Sequence, residues 1–443
     1  MSEPTFITKL SLKRFRSLPD ETVEFDNPTL LVGKNGSGKS NFVDAIAFLC
    51  DCAVGPLQTA LENRGGIRNV GYRTPVSRVA EAVGIRADFR LTHGIECFGH
   101  YSFELRTAGH YRFVVQHEQC VLTSEKGDRV WFDRDGQEFR TNLTGLEIAM
   151  DSQSLALPVV GGVRQLAPLR RAFASMRVYA LDPRVMRQIQ DWDAVPLLKR
   201  DGANVASVLR QLARRDTEVA DRVSELLSSI VPDIARVRPV QRSSKMGLEF
   251  TQQWDEQKSI SFEAAAMSDG TMYSLGILVA LMQQPTPPLI VIEEPEIMIH
   301  PGGLATIQEL IRIAARYTQV VISTHSPELL DADWVGPEHL RVVHWENGAT
   351  RISGLSTGAV RALQQHLMGA GELFRANALD SPVLPTAAPL PLFDPYSRDP
   401  THRGGARRGK RTARLAAPAD GRPGCLQRRC GPACSAAPRH IVV

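Results

Sequence analysis

The chain has 443 residues, 43% hydrophobic and 23% charged, which is the balance of an ordinary globular protein and excludes fibrous and low-complexity classes. No apolar run approaches the ~20 residues needed to span a bilayer, and the N-terminal MSEPTFITKL lacks the basic-then-apolar order of a signal peptide, so the expectation is a cytoplasmic protein with no membrane partner. The net charge is +4, but residues 398–443 hold eleven Lys/Arg against two Asp/Glu, leaving a net of −5 before them; the basic balance belongs to the tail and is weak support for a nucleic-acid-binding body.

FITKLSLKRFRSL (residues 6–18) alternates well enough for an edge strand, and TVEFDNPTLLVG predicts a second and a third with Asn27-Pro28 as the turn. A Gly-rich loop and an amphipathic helix follow. From about 85 to 139 the segments ADFRL, ECFGHYSFELRT, YRFVVQHEQCVLTS and RVWFDRDGQEFR read as antiparallel strands, with DRDG at 133–136 a hairpin turn. Helical spacing takes over across residues 204–232, with Asp216 a predicted N-cap. Strands return at IARVRPVQ, MGLEFTQQW and SISFEAA. Residues 267–330 predict a helix, a buried strand, a helix and another buried strand, YTQVVISTH, and LRVVHWENGATRISGL predicts a closing hairpin. There is no internal repeat and no sustained heptad pattern.

Residues 33–40, GKNGSGKS, match G-x-x-x-x-G-K-[ST] in full, between the apolar strand TLLV and a helix, which is the context this phosphate-binding motif requires. Its glycines let backbone N–H groups turn toward phosphate oxygens, and the helix N-terminus adds its dipole. Lys39 is placed to reach the β/γ-phosphates and Ser40 to ligate Mg²⁺, so ATP and Mg²⁺ are the expected cofactors. LIVIEEPE (residues 289–296) ends an apolar strand on adjacent carboxylates. Burying them alone is costly; beside a nucleotide, Glu293 serves as the metal-side carboxylate and Glu294 polarises the attacking water. In AAAMSDGTMYSLGILVAL, Ser268 and the free N–H groups of a helix start suit an anion. In VVISTHSPELL, His325 directly follows a buried strand, at the height of the phosphates.

The order P-loop, MSDGT, IEEPE, STHSP resembles the ABC-class ATPase heads of the SMC, RecF and OLD type. It is more closely similar to bacterial AAA-type ATPases of abortive-infection or RecF-like proteins, a likeness extended by ITKLSLKRFRSL and by RGGIRNVGY at 64–72. The resemblance covers about residues 6–375. It implies an α/β P-loop ABC-ATPase head with an antiparallel β subdomain: residues 6–139 as its N-terminal part, 140–249 as an inserted helical lid or arm, 250–375 as its C-terminal part and 380–443 as a disordered basic tail. Gly33, Asn35, Gly36, Ser37, Gly38, Lys39, Ser40 and Asn41 are implied to line the nucleotide, Ser40 and Glu293 to hold the metal, Glu294 to act as general base and His325 as the switch histidine at the γ-phosphate. Ser268 and Gly270 are implied to touch the nucleotide of an opposite subunit, making the protein a nucleotide-dependent homodimer.

The function implied is ATP hydrolysis that drives a partner in anti-phage defence or DNA maintenance, the partner being an effector, nuclease or toxin, encoded nearby; DNA is a further candidate. A nucleotide-gated DNA clamp or sensor with slow turnover is the alternative. A P-loop kinase is disfavoured by MSDGT and STHSP, and MSDGT in place of LSGGQ counts against a transporter. No Q-loop glutamine is placed by the sequence; Gln116 and Gln119 in VVQHEQC are no more than candidates. The Pro/Arg-rich tail offers no metal-nuclease domain, and Cys425, Cys430, Cys434 and His440 lack zinc-site spacing. Residues beyond about 380 are expected to be dispensable.

Overall fold

The N-terminal hairpin is β1 (Ile7–Phe15) and β2 (Leu18–Glu24), and the fully buried TLLV run gives β3 (Thr29–Val32). The structure, a computed structural model, describes residues 6–73, 81–91, 96–109, 112–195, 197–254, 258–379 and 391–394. After the helix Lys39–Val54 come β4 (Ala82–Leu91), β5 (Cys97–Ala108), β6 (Arg112–Ser124), β7 (Arg129–Asp135) and β8 (Glu138–Thr141). The short β9 (Arg177–Tyr179) and β10 (Gln190–Asp191) precede two helices, Val205–Arg215 and Thr217–Ile230, the second capped by Asp216 on the N–H groups of Glu218 and Val219. Then follow β11 (Ile234–Arg242), β12 (Lys245–Gln253), β13 (Ser259–Glu263), the helix Asp269–Met282, β14 (Leu289–Glu293), the helix Pro301–Ala314, β15 (Gln319–Thr324), β16 (Leu340–Glu346) and β17 (Ala349–Ser353).

These strands make three sheets. One is antiparallel and seven-stranded, β2-β1-β4-β5-β6-β7-β8; a small one has β12 paired with β10, β11 and β13; the third runs β17-β16-β3-β15-β14-β9. In the third, β16, β3, β15, β14 and β9 are parallel and β17 returns antiparallel. Its central strands are buried on both faces. Leu31, Val291 and Val321 enter a core shared with the antiparallel sheet and the helix Lys39–Val54, while Leu30, Ile290, Ile292, Val320 and Ile322 enter a second core under the helices Asp269–Met282 and Pro301–Ala314.

Register fixes what converges. β15 lies between β3 and β14, with Thr324 opposite Val32 and Ser323 opposite Glu293. The residues that follow each strand, Gly33, His325 and Glu294, therefore share one height at the C-terminal edge of the parallel strands, where open α/β sheets bind ligands.

Two expectations are corrected. Residues 140–249 are not a helical lid: they contain β9, which is a strand of the parallel sheet, and β11 with most of β12. The expected helix pair exists, but Val223 and Leu227 bury in the same core as Leu275 and Leu278 of the following helix, so it belongs to the head. Nor is everything beyond 380 detached, because residues 391–394 lie against the antiparallel sheet, with the Phe393 ring stacked on His117. The remaining tail expectations, disorder and the cysteines of 425–434 among them, fall outside the described residues, as does the whole of the second compact unit, Thr401–Val443. Among the described residues no helix is long and apolar enough to cross a membrane.

Candidate functional site

The loop after β3 is shaped by two glycines that only glycine suits. Gly38 precedes the helix Lys39–Val54 at φ 105°, and a Cβ there would stand 1.9 Å from Thr350 Oγ1. At Gly33 a Cβ would meet the Val343 carbonyl at 2.2 Å. The hairpin β16–β17 thus backs the loop: Thr350 Oγ1 donates to the Ser37 carbonyl at 2.9 Å and lies 2.7 Å from Ser17 Oγ, which in turn accepts from Asn41 Nδ2 at 2.7 Å.

Lys39 is 4% exposed and points into the loop, its Nζ donating to the carbonyls of Gly33 at 2.7 Å and Lys34 at 3.1 Å. Burial pulls its ammonium below the usual lysine range, opposed by the carboxylates of Glu294, Glu296 and Glu293. Glu294 Oε1 is 3.8 Å from that Nζ and 3.3 Å from His325 Nδ1, so one carboxylate faces both. Burial pushes the Glu293 carboxyl up, opposed by the neighbouring Ser40 hydroxyl and by the Arg200 charge. Lys39, Ser40, Glu293, Glu294 and His325 are therefore brought to one place.

The backbone that presents the carboxylates is held on both sides. Glu294 has φ 46°, a left-handed conformation that is strained for a residue with a side chain. Its N–H donates to the Ser323 carbonyl at 2.8 Å, and the Tyr273 hydroxyl donates to the carbonyls of Glu293 at 3.0 Å and Glu294 at 3.1 Å. Burial raises the Tyr273 hydroxyl's pKa and keeps it a neutral donor. Glu296, the third carboxylate, is turned inward: its Oε1 accepts from Thr324 Oγ1 at 2.7 Å and from the His325 N–H at 3.0 Å, which fixes the histidine turn. Sequence reasoning missed Tyr273, Glu296, Thr350 and Arg200. Only Glu296, inside EEPE, and Tyr273, five residues after Ser268, had a visible signal.

Ser268 is the N-cap of its helix, accepting from the Thr271 N–H at 3.1 Å. A Cβ on Gly270 would lie 2.4 Å from the Met298 carbonyl, so this turn packs on the loop after the acidic strand. Arg187 holds it too, donating to the Met267 carbonyl at 3.0 Å and pairing with Asp269. Among the described residues no hydrogen bond or ion pair joins Ser268 or Gly270 to the P-loop. The Q-loop candidates are corrected: Gln116 is exposed on β6, and Gln119 is buried in the antiparallel sheet, bonded to His100 and Asp133.

Asn35, Gly36 and Ser37 line a depression of about 500 Å³, whose other wall is His344, Trp345 and Phe374. A second, of about 420 Å³, is lined by Arg16, Asn41, Arg64 and Tyr72 and shares Trp345. The residues fit a Mg-nucleotide. Ser37 Oγ and Glu296 Oε2 are buried without a hydrogen-bond partner, and the raised Glu293 carboxyl is one that a cation would ionise. Among the described residues no group of three or more His, Cys, Asp or Glu is arranged to hold a metal, so a divalent cation at Ser40 and Glu293 would need further oxygens from phosphate and water.

Two families match. One, "AAA ATPase domain", matches residues 6–61, and the other, "AAA domain, putative AbiEii toxin, Type IV TA system", matches residues 209–331. The first span carries the P-loop; the second carries MSDGT, the acidic strand and STHSP. No curated protein matches. Among solved structures, the chain is similar to an SMC head bound to the C-terminal winged-helix domain of ScpA, at 14% identity and TM-score 0.51 over 80% of this chain and 99% of that one. An SMC head with an extended coiled coil from Pyrococcus furiosus, bound to the ScpA C-terminal domain, aligns at 14% identity and TM-score 0.48 over 82% and 99%, and an SMC head from Thermotoga maritima at 15% and 0.39 over 80% and 100%.

Proposed function

We propose that this chain, an AAA/ABC-type ATPase of the RecF/SMC type, hydrolyses ATP between two copies of itself and uses the cycle to drive an effector in anti-phage defence or DNA maintenance. The observation that carries the reading is Glu294 Oε1, which faces the buried Lys39 ammonium at 3.8 Å and His325 Nδ1 at 3.3 Å, in a turn that follows an apolar strand. Lys39 exchanges its loop carbonyls for phosphate oxygens, which are stronger, charge-assisted acceptors. The N–H groups of the loop and of the helix start cradle the same anion. Ser40 and Glu293 hold Mg²⁺, which when bound neutralises charge on the phosphate oxygens. Glu294 takes the proton of the attacking water, and His325 contacts the γ-phosphate. Ser268 and Gly270, which among the described residues make no hydrogen bond to their own P-loop, serve the nucleotide of the other copy. The toxin-system description of the second family match supports a defence setting.

Glu294→Gln tests this. It keeps shape and metal site and removes the base. It is expected to bind ATP, to lose on the order of 10²–10⁴-fold in turnover, and to elute as a dimer with ATP and a monomer without it. Normal hydrolysis, or a monomer at saturating ATP, defeats the reading. Turnover with and without DNA distinguishes a driven ATPase from a slow nucleotide-gated clamp.

A further inference from the structure

The antiparallel sheet turns Ile85, Phe103, Cys120 and Phe132 to the core, so the alternate positions lie on its outward face. There Arg86, Ser102, Gln119 and Asp133 stand in one cross-strand row, with His100 and His117 beside it. An outward polar row is normally wet. Here His100, Ser102, His117, Gln119 and Asp133 are all buried. Among the described residues, the segment seated on the row is 391–394, Pro-Leu-Phe-Asp.

Each residue of that segment meets a different feature. Leu392 fills a notch that exists because residue 84 is glycine: a Cβ there would lie 2.3 Å from Leu392 Cδ1, with its other neighbours at an ordinary 3.5 Å. Phe393 stacks on His117 with ring centroids 3.8 Å apart and planes at 21°. Asp394 donates its N–H to Gln119 Oε1 at 2.8 Å, and its carbonyl accepts from Gln119 Nε2 at 3.3 Å, so one side-chain amide reads the backbone as a neighbouring strand would. The Asp394 carboxylate is 3.9 Å from Arg129, and Arg86 donates to the carbonyls of Pro391 and Leu392 at 3.3 and 3.4 Å.

The receptor is aimed by the sheet itself. Gln119 Oε1 is 2.8 Å from His100 Nε2, and Gln119 Nε2 donates to Asp133 Oδ2 at 2.8 Å, which orients the amide independently of the tail. A fixed, charged and notched receptor with a four-residue occupant is the geometry of peptide recognition. It is not that of a strand integral to a core. We propose that this row is a peptide-docking site for an extended apolar–aromatic–acidic sequence, and that its resident ligand is the chain's own segment 391–394, held exchangeably.

The probe is a fluorescent synthetic peptide spanning residues 388–397, titrated by anisotropy into the full-length chain. In the native chain the tethered segment competes at roughly millimolar effective concentration. Full-length Leu392→Ala/Phe393→Ala is therefore expected to bind the peptide at least about tenfold more tightly than the native chain. Adding Gly84→Ala to that variant narrows the notch against Leu392 alone and is expected to take back part of the gain. Equal binding to native and variant chains, no binding to the variant, or no effect of Gly84→Ala each overturns the proposal. So does loss of the cooperative melt in Leu392→Ala/Phe393→Ala, which would make the segment a fixed part of the sheet.

Discussion

Tyr273→Phe isolates the support of the catalytic turn from its chemistry. The ring is almost fully buried and stays in place; what leaves is one hydroxyl that donates to two adjacent carbonyls, Glu293 at 3.0 Å and Glu294 at 3.1 Å. The Glu294 carbonyl keeps the Ile297 N–H at 3.0 Å, so what is lost is one shared hydrogen bond, about 0.5–1.5 kcal/mol, which in a head of this size lowers the melting temperature by a few degrees. The effect on turnover should exceed that loss. Glu294 is held in a left-handed conformation by its N–H bond to the Ser323 carbonyl on one side and, at its own carbonyl, by the Ile297 N–H and the Tyr273 hydroxyl on the other. With one restraint gone the carboxylate relaxes away from Lys39 and His325, and a displacement of about 1 Å in a catalytic group lowers rate by about 10²-fold. ATP affinity, set by the P-loop on another strand, should change by less than about threefold. Phosphate-release kinetics, nucleotide titration and thermal melting on one preparation check this. Unchanged turnover despite the lower melting temperature, or a loss shared equally between binding and rate, refutes the role assigned to Tyr273.

Lys39→Ala should abolish binding of ATP with Mg²⁺ by isothermal titration, because the loop loses the buried cation that faces the phosphates; native-like affinity would remove the P-loop assignment. Gly38→Ala should lose both nucleotide binding and about 1–3 kcal/mol of stability, since it combines a left-handed backbone with a Cβ placed on Thr350; a native melting temperature would contradict the contact. Glu293 has its pKa raised by burial, so the stability it contributes is present below the ordinary carboxylate value and is lost as pH rises through its raised value. Metal-free Glu293→Gln should therefore melt above the native chain at pH 8, and the difference should shrink toward pH 5 and reverse when Mg²⁺ and ATP are added. A variant that melts lower than native at pH 8 without metal would show that the Ser40 hydroxyl and the Arg200 charge outweigh burial.

The site was legible where its chemistry is local in sequence. A phosphate loop needs its glycines, lysine and hydroxyl within eight positions, so GKNGSGKS announces itself, and LIVIEE couples a buried strand to its acidic end. What escaped depends on distance or brevity. Thr350 reaches Gly38 only because β17 returns beside β16, a register that no spacing encodes. β9 is three residues long, too short to interrupt the helical pattern around it, and its absence turned part of the parallel sheet into an imagined lid. Residues 391–394 hide in a stretch whose prolines dominate its composition, although Leu-Phe within it is the kind of anchor that a featureless tail lacks. Gln119 looked like a loop glutamine because sequence does not say which face of β6 it occupies.

The strand order of the parallel sheet also constrains how this protein can be made. β3 is finished at Val32, but its neighbours β15 and β16 end at Thr324 and Glu346. At a synthesis rate of about 5–20 residues per second, the strand that carries the phosphate loop waits roughly 15–60 s on the ribosome for its first hydrogen-bonded partner. The hairpin of β1 and β2 and the strands β4–β8 can pair during that interval, because their partners lie close by in sequence. β3 cannot, and TLLV with both edges open is an adhesive segment in a crowded cell. Nascent chains that stall before residue 324 should thus be the ones that recruit chaperones or aggregate.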